Sequence, residues 1–193
     1  DIMTYVFTKI SGLPENQIMG SGTILDTARL RYGLSEHFKV AQGNIHAYVF
    51  GEHGDTSFIP WTGAYISGLS TDEYYEEMKA HGKDVKPLDK EAMLEYVQKS
   101  GGKVIAKKGA TFYAVSATVC QLVGLILAAS DSLATVSSML HGEYGIEDVC
   151  LSTLTLVGPN GIQGKVQMRM NKEEVALLKK SADALKEVIA QIE

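Results

Sequence analysis

The chain has 193 residues, of which 45% are hydrophobic and 21% charged, with a net charge of −5. That balance suits one globular domain able to bury a core without disulfides or metals; it excludes a disordered chain and argues against a nucleic-acid binder. No run approaches the roughly 18 consecutive apolar residues of a membrane span, and Cys120 and Cys150 lack any CxxC context, so they read as buried thiols of a cytoplasmic protein.

The chain opens on Asp1-Ile2-Met3, already inside an apolar helical run, which suggests a piece of something longer. Asp1 to Ile10 predicts a short helix stopped by Ser11-Gly12-Leu13-Pro14. Gly20-Ser21-Gly22-Thr23 is a loop with a candidate cap at its end, and Ile24 to Phe38 follows as a long helix. Ile45 to Phe50 alternates like a strand and runs into Gly51-Glu52-His53-Gly54-Asp55; Ser57 to Tyr65 is expected to be extended in part. Ser70 and Glu73 have capping-box spacing, with Leu69 as a possible staple, before a helix to about Ala80.

Lys83 to Leu88 is a polar loop with Pro87, and Asp89 to Lys99 predicts a helix closed by Ser100-Gly101-Gly102. Gly109 to Ser130 is apolar on several faces and reads as a mostly buried helix. Strands are expected at Thr135 to Leu140 and Val149 to Val157, and again at Gly164 to Met170 after the Pro159-Asn160-Gly161 turn. Asn171 and Glu174 cap a last helix whose Val175, Leu178, Ala182, Leu185 and Ile189 share one face. Strands and helices mix without regular alternation and no linker or repeat stands out, so the fold class is α+β, one domain over residues 1–193.

Four groups of residues could carry chemistry. Asp26 and Arg29 share a face of the long helix, either as a surface ion pair or as part of a site. Arg31 lies about 200° around the axis from Arg29, so the two guanidiniums point to opposite sides. His53 sits on a loop between glycines, where it could be structural or could shuttle a proton near neutral pH. Thr111 places a hydroxyl near a helix start, as a cap or as a site residue. A metal set of His46, His53 and Asp55 has no HxxxH or HxH pattern behind it, so no metal is expected. Gly20-Ser21-Gly22 is a lone GxG, not a dinucleotide fingerprint.

Together, the segments Gly20 to Tyr32, Asn44 to Thr56, Lys108 to Thr111, Gly142 to Ile146 and Gly158 to Ile162 resemble the C-terminal half of the L-lactate/malate dehydrogenase family, with bacterial L-lactate dehydrogenases as the nearest likeness. The resemblance runs the length of the chain. It implies an α+β substrate domain of antiparallel strands packed with long helices. It also implies that an NAD-binding domain of about the same size, and the loop that separates lactate from malate, lie outside this chain. Asp1 then matches the end of an Asn-Pro-Val-Asp segment.

By the same resemblance, His53 is similar to the catalytic acid/base, Asp26 to the carboxylate that holds it, and Arg29 to the arginine gripping the substrate carboxylate. Thr111 matches the residue lining the substrate methyl and the nicotinamide; threonine there leans towards lactate over malate. Arg31 and His46 match the pair that binds fructose 1,6-bisphosphate between subunits in bacterial members. The implied function is pyruvate reduction by NADH, the last step of fermentative glycolysis, in a cytoplasmic homo-oligomer (dimer or tetramer). A lactate-like malate dehydrogenase and an inactive, folded oligomerisation module are the alternatives.

Overall fold

A computed structural model describes residues 1–192 of the chain. Six α-helices and eight short strands occur in the order α1 (Ile2–Ile10), α2 (Ile24–Phe38), β1 (Ile45–His46), β2 (Tyr65–Ile66), β3 (Leu69–Ser70), α3 (Thr71–Ala80), α4 (Lys90–Lys108), α5 (Tyr113–Ile126), β4 (Ser132–Ala134), β5 (Ser137–His141), β6 (Glu147–Ser152), β7 (Thr155–Gly158), β8 (Gly161–Lys165) and α6 (Lys172–Ile189). The strands make three small sheets, β1-β2-β3, β4-β7-β8 and β5-β6. Every pairing is antiparallel, as the α+β reading expects.

Local chemistry accounts for three of the six helix starts. Ser70 with Glu73 and Asn171 with Glu174 each form a complete capping box, satisfying amide groups that a helix start leaves bare. Asp89 caps α4, accepting from the Ala92 amide at 2.9 Å, and Gly109 closes it with φ 78°. The helix therefore does not stop at Ser100-Gly101-Gly102 as the glycines suggest. Interior glycine costs about 1 kcal/mol relative to alanine, but here packing outweighs it. A Cβ on Gly33 of α2 would come within 2.7 Å of Met93 Sδ on α4, and one on Gly101 would lie 3.8 Å from the Arg29 guanidinium. Gly33 thus lets Met93 of α4 sit close against α2, whereas a side chain at Gly101 or Gly102 would meet only ordinary contacts or open space.

Two apolar cores flank α2 and α6. Leu30, Leu34 and Phe38 of α2 pack with Ile45, Val49, Ile59 and Val97, while Leu178, Ala182 and Leu185 of α6 pack with Phe50, Phe58, Leu140 and Leu151. The chain between Ile45 and Phe50 spans both, burying Ile45, Ala47, Val49 and Phe50 although only Ile45–His46 is a strand; Phe50 and Phe58 pair as an isolated bridge. Val149 to Val157 is not one strand but two, because β6 pairs with β5 and β7 turns away to pair with β4 and β8. The return strand β8 begins at Gly161 itself rather than at Gly164, and ends at Lys165 instead of Met170.

The largest departure is α5. Only Thr118 and Leu122 are buried, whereas Tyr113 is 74% and Leu127 80% exposed, and Val119 and Val123 also face outward. Cys120 on the same helix is exposed, contrary to the expectation, while Cys150 is buried, which pushes its thiol up to about 11. Apolar composition reports that a helix can be buried; it does not report which surface covers it. Among the described residues, no helix is long and apolar enough to cross a membrane.

Candidate active site

Helix α2 turns its buried stripe inward every fourth residue: Asp26, Leu30, Leu34 and Phe38. A carboxylate on such a stripe is costly unless it is paired. Asp26 is 5% exposed, and both of its oxygens are engaged. Oδ1 accepts from Arg29 Nη1 at 3.0 Å, and Oδ2 accepts from His53 Nδ1 at 2.6 Å. The pair is thus a partly buried bridge, not a solvated surface contact: the Arg29 side chain is 15% exposed. Because an ionised carboxylate can only accept, the proton of this bond sits on Nδ1, which leaves Nε2 as the atom that can exchange a proton with a ligand. The His53 side chain is 58% exposed and so can be reached.

The loop carrying His53 is moored from four sides. Gly51, at φ 96°, forms a bridge with Ser152 of β6, and its Cα packs against Ser181 of α6, where a side chain would meet Ser181 Oγ at 2.8 Å. Ser181 Oγ accepts from the Glu52 amide at 2.8 Å and lies 2.9 Å from Thr56 Oγ1, whose hydroxyl donates to Glu52 Oε1 at 2.7 Å. From α4, Gln98 donates to the carbonyls of Asp55 and Ser57 at 3.2 and 3.0 Å, and Asp1 accepts from the His53 amide at 2.7 Å. Sequence reading missed Ser181, Thr56 and Gln98. The only available signal was the loop's own polarity, since Ser181 lies over 120 residues away and looks like any serine on a helix.

The hydrogen bond that His53 donates to Asp26, aided by the carboxylate charge, holds the imidazolium and raises the His53 pKa above its usual value; burial and the Arg29 cation oppose the shift. The sign follows. A raised folded value means that the stabilisation is fully present below about 6.5, the unfolded value, and is lost as pH rises through the folded value. We expect the His53 imidazole resonances to titrate with a midpoint above 6.5 in the folded chain, and Asp26→Asn to bring that midpoint down. NMR titration of the two proteins checks this; identical midpoints would remove Asp26 as the cause.

Beside Arg29 opens a cavity of about 190 Å³, lined also by Lys108, Thr111 and Phe112. Thr111 does not cap α5, whose N-cap is Phe112 with no side-chain cap bond; the residue lines the cavity instead. Thr23 likewise does not cap α2 by its side chain; its hydroxyl donates to the Val49 carbonyl at 2.5 Å. The structure thus joins His53, Asp26 and Arg29 directly, and Thr111 to Arg29 through the cavity.

Arg31 lies on the other side of α2, as the angular argument expects. Its Nε donates to the Ala47 carbonyl at 3.1 Å and its guanidinium sits 5.0 Å from the centre of the Tyr48 ring. It lines a separate cavity of about 310 Å³ with Thr27, Gln42, Tyr48 and Gln121. His46 is exposed on β1 and is not among the residues lining that cavity. Among the described residues, no three His, Cys, Asp or Glu side chains gather into a metal-sized group.

Residues 23–193 match the family described as lactate/malate dehydrogenase, alpha/beta C-terminal domain. The chain is 46% identical over 193 residues to an L-lactate dehydrogenase of Acetivibrio thermocellus, covering all of this chain and 60% of that protein. It is 43% identical over 192 residues to L-lactate dehydrogenase 1 of Clostridium acetobutylicum, again covering 60% of the relative. Among solved structures, it superposes on an L-lactate dehydrogenase of Clostridium thermocellum with a TM-score of 0.89 at 36% identity, covering all of this chain and 62% of the other. The minor L-lactate dehydrogenase of Enterococcus mundtii gives 0.91 at 30% identity, covering 60% of that chain. The chain therefore spans about 60% of the length of the curated relatives it matches.

Proposed function

The chain belongs to the lactate/malate dehydrogenase family, matching its C-terminal domain, and from that premise we propose that it carries the substrate-binding and proton-transfer half of an NAD-dependent L-lactate dehydrogenase. The carrying observation is the placement of one buried carboxylate, Asp26, between an accessible imidazole and a guanidinium at the edge of a small cavity. L-lactate dehydrogenase is preferred over malate dehydrogenase because the relatives bear that name.

The chain's residues divide the work as follows. Arg29 offers a planar fork to the carboxylate of pyruvate or lactate, a geometry that lysine does not reproduce. His53 Nε2 gives a proton to the carbonyl oxygen of pyruvate and takes it back from the hydroxyl of lactate. Asp26 keeps the proton of the ring on Nδ1 and steadies the imidazolium between turnovers. Thr111, at the cavity rim, faces the methyl end of the substrate. NAD, when bound, supplies or accepts the hydride. The cavity beside Arg29, about 190 Å³, falls short of the roughly 300–1,000 Å³ of a cofactor site. It suits a three-carbon acid and the edge of a nicotinamide, so the rest of the dinucleotide belongs to an NAD-binding domain outside this chain.

The test is turnover by the complete protein, in the cytoplasmic homo-oligomer that this reading implies. Consumption of NADH with pyruvate but not with oxaloacetate supports it. A preference for oxaloacetate would make the protein a malate dehydrogenase, and no turnover with either would leave the chain an assembly module. The uncovered face of α5 is the surface available to such packing.

The cavity at Arg31 fits an effector role. A guanidinium already fixed by Ala47 and Tyr48 keeps N–H donors for a phosphate, and His46 of a second copy would supply the other contact. Fructose 1,6-bisphosphate is therefore expected to activate the enzyme, and Arg31→Gln to raise the midpoint of activation about tenfold or more, the effect of one lost charge-assisted bond. Dose–response curves for the two proteins check this; equal midpoints would remove Arg31 from the effector site.

A further inference from the structure

A second cluster of reactive side chains lies away from His53, where β8 meets β5. Lys165, the last residue of β8, is half-buried; its Nζ donates to the Ser138 hydroxyl and sits 3.5 Å from the Ser138 carbonyl. Ser138 is 2% exposed. Among the described residues, no carboxylate comes within ion-pair distance of this ammonium. The two acidic groups nearby are engaged elsewhere: His141 Nε2 contacts Glu15 Oε1 at 2.5 Å, and Glu143 Oε2 accepts from the His141 amide at 2.6 Å. Lys165 and Ser138 open onto a cavity of about 220 Å³ that Glu15, His141, Glu143 and Gln163 also line.

We propose that Lys165 is a carbonyl-reactive lysine, whose amine condenses with a small uncharged aldehyde or ketone admitted by this cavity. The lone pair of Nζ adds to the carbonyl carbon to give a carbinolamine. The carbon–oxygen bond then breaks, the oxygen leaves as water with both amine protons, and a carbon–nitrogen double bond remains. Ser138 Oγ stands at the nitrogen, where it can bond the carbinolamine oxygen. A proton from solvent then gives the cationic imine, which Glu15 and Glu143 favour; the two carboxylates repel carbonyl compounds that carry a carboxylate, so the substrate of the His53 site is not the ligand here.

The electrostatics agree with the geometry. Burial without a paired anion drives the ammonium towards the neutral amine and brings Lys165 down to about 8. Glu143, Cys150 and Glu15 act in the opposite direction and do not offset it, and the Cys150 thiol is itself protonated at neutral pH. At pH 7 a lysine titrating near 8 holds about 200-fold more neutral amine than one at the ordinary value of 10.4. Neutral amine is the nucleophile in such condensations, which is why desolvated lysines serve this chemistry.

The experiment treats the folded chain with propionaldehyde and cyanoborohydride, which reduces the imine to a stable propyl-lysine, and maps the sites by peptide mass spectrometry. At pH 7 Lys165 is expected to label at least about tenfold faster than the mean exposed lysine, allowing for restricted access to the cavity. Its rate should rise through about pH 8 and level off, and its advantage should vanish in urea. With pyruvate as the carbonyl compound the advantage should be lost. Labelling of Lys165 at or below the exposed mean at pH 7, or an advantage that survives unfolding, would overturn the assignment; equal preference with pyruvate would overturn the ligand class.

Discussion

His53→Gln is expected to lower pyruvate turnover by the complete enzyme at least about 10²-fold while leaving its folding intact, since a general acid–base group contributes 10²–10⁴-fold. The glutamine amide can still donate a hydrogen bond from the loop, so the contact with Asp26 can persist in some form, but an amide cannot take up or release a proton near neutral pH. The loop itself does not depend on the imidazole. Its backbone is tied by Ser152, Ser181, Gln98 and Asp1, and its side-chain network runs through Glu52 and Thr56. Thermal unfolding should therefore move little, while kcat collapses. A variant that keeps more than about a tenth of the wild-type rate would contradict the role, because that loss is smaller than any positioned proton donor supplies.

Arg29→Lys should raise the KM for pyruvate about 10- to 100-fold, with a much smaller change in the unfolding midpoint. Charge is kept, so Asp26 still has a cation three residues along the helix. What is lost is the fork. Two parallel N–H donors at fixed spacing match a carboxylate, whereas an ammonium presents one mobile point charge. A lost bond to a charged group is worth about 1.5–3 kcal/mol, which corresponds to that range of KM. Steady-state kinetics beside calorimetry decides the matter: an unchanged KM would return Arg29 to a purely structural bond with Asp26.

Much of this was legible from residue order, for identifiable reasons. Capping boxes are local, so Ser70 with Glu73 and Asn171 with Glu174 could be read from spacing alone. The angular separation of Arg29 from Arg31 follows from helix geometry once residues 24–38 are helical, and the two do serve different cavities. His53 between glycines announced an accessible imidazole, and the match of Asp26, Arg29 and His53 to a known pattern grouped them before any distance was measured. The strands were less legible. β1, β2 and β3 are two residues each, too short for alternation to show, and the split between β6 and β7 depends on which neighbours each half finds.

Residue order by itself determined the local and the periodic: where the side-chain-capped helices α3, α4 and α6 begin, and which side chains share a helix face, because those depend on neighbours within about four positions. Tertiary structure alone decided the rest. The Ser100-Gly101-Gly102 segment stays inside α4, a helix whose Val97 is buried against Leu30 and Leu34 of α2, although glycine disfavours helix. Ser181 holds the His53 loop because α6 packs beneath it. Lys165 loses its counter-ion because β8 lays it over Ser138 while His141 occupies both nearby carboxylates. The apolar face of α5 is plain in composition, yet its exposure emerges only when the chain is folded. Contacts between residues far apart in sequence carry no local signature, since their energy comes from surfaces that exist only after the chain has come together.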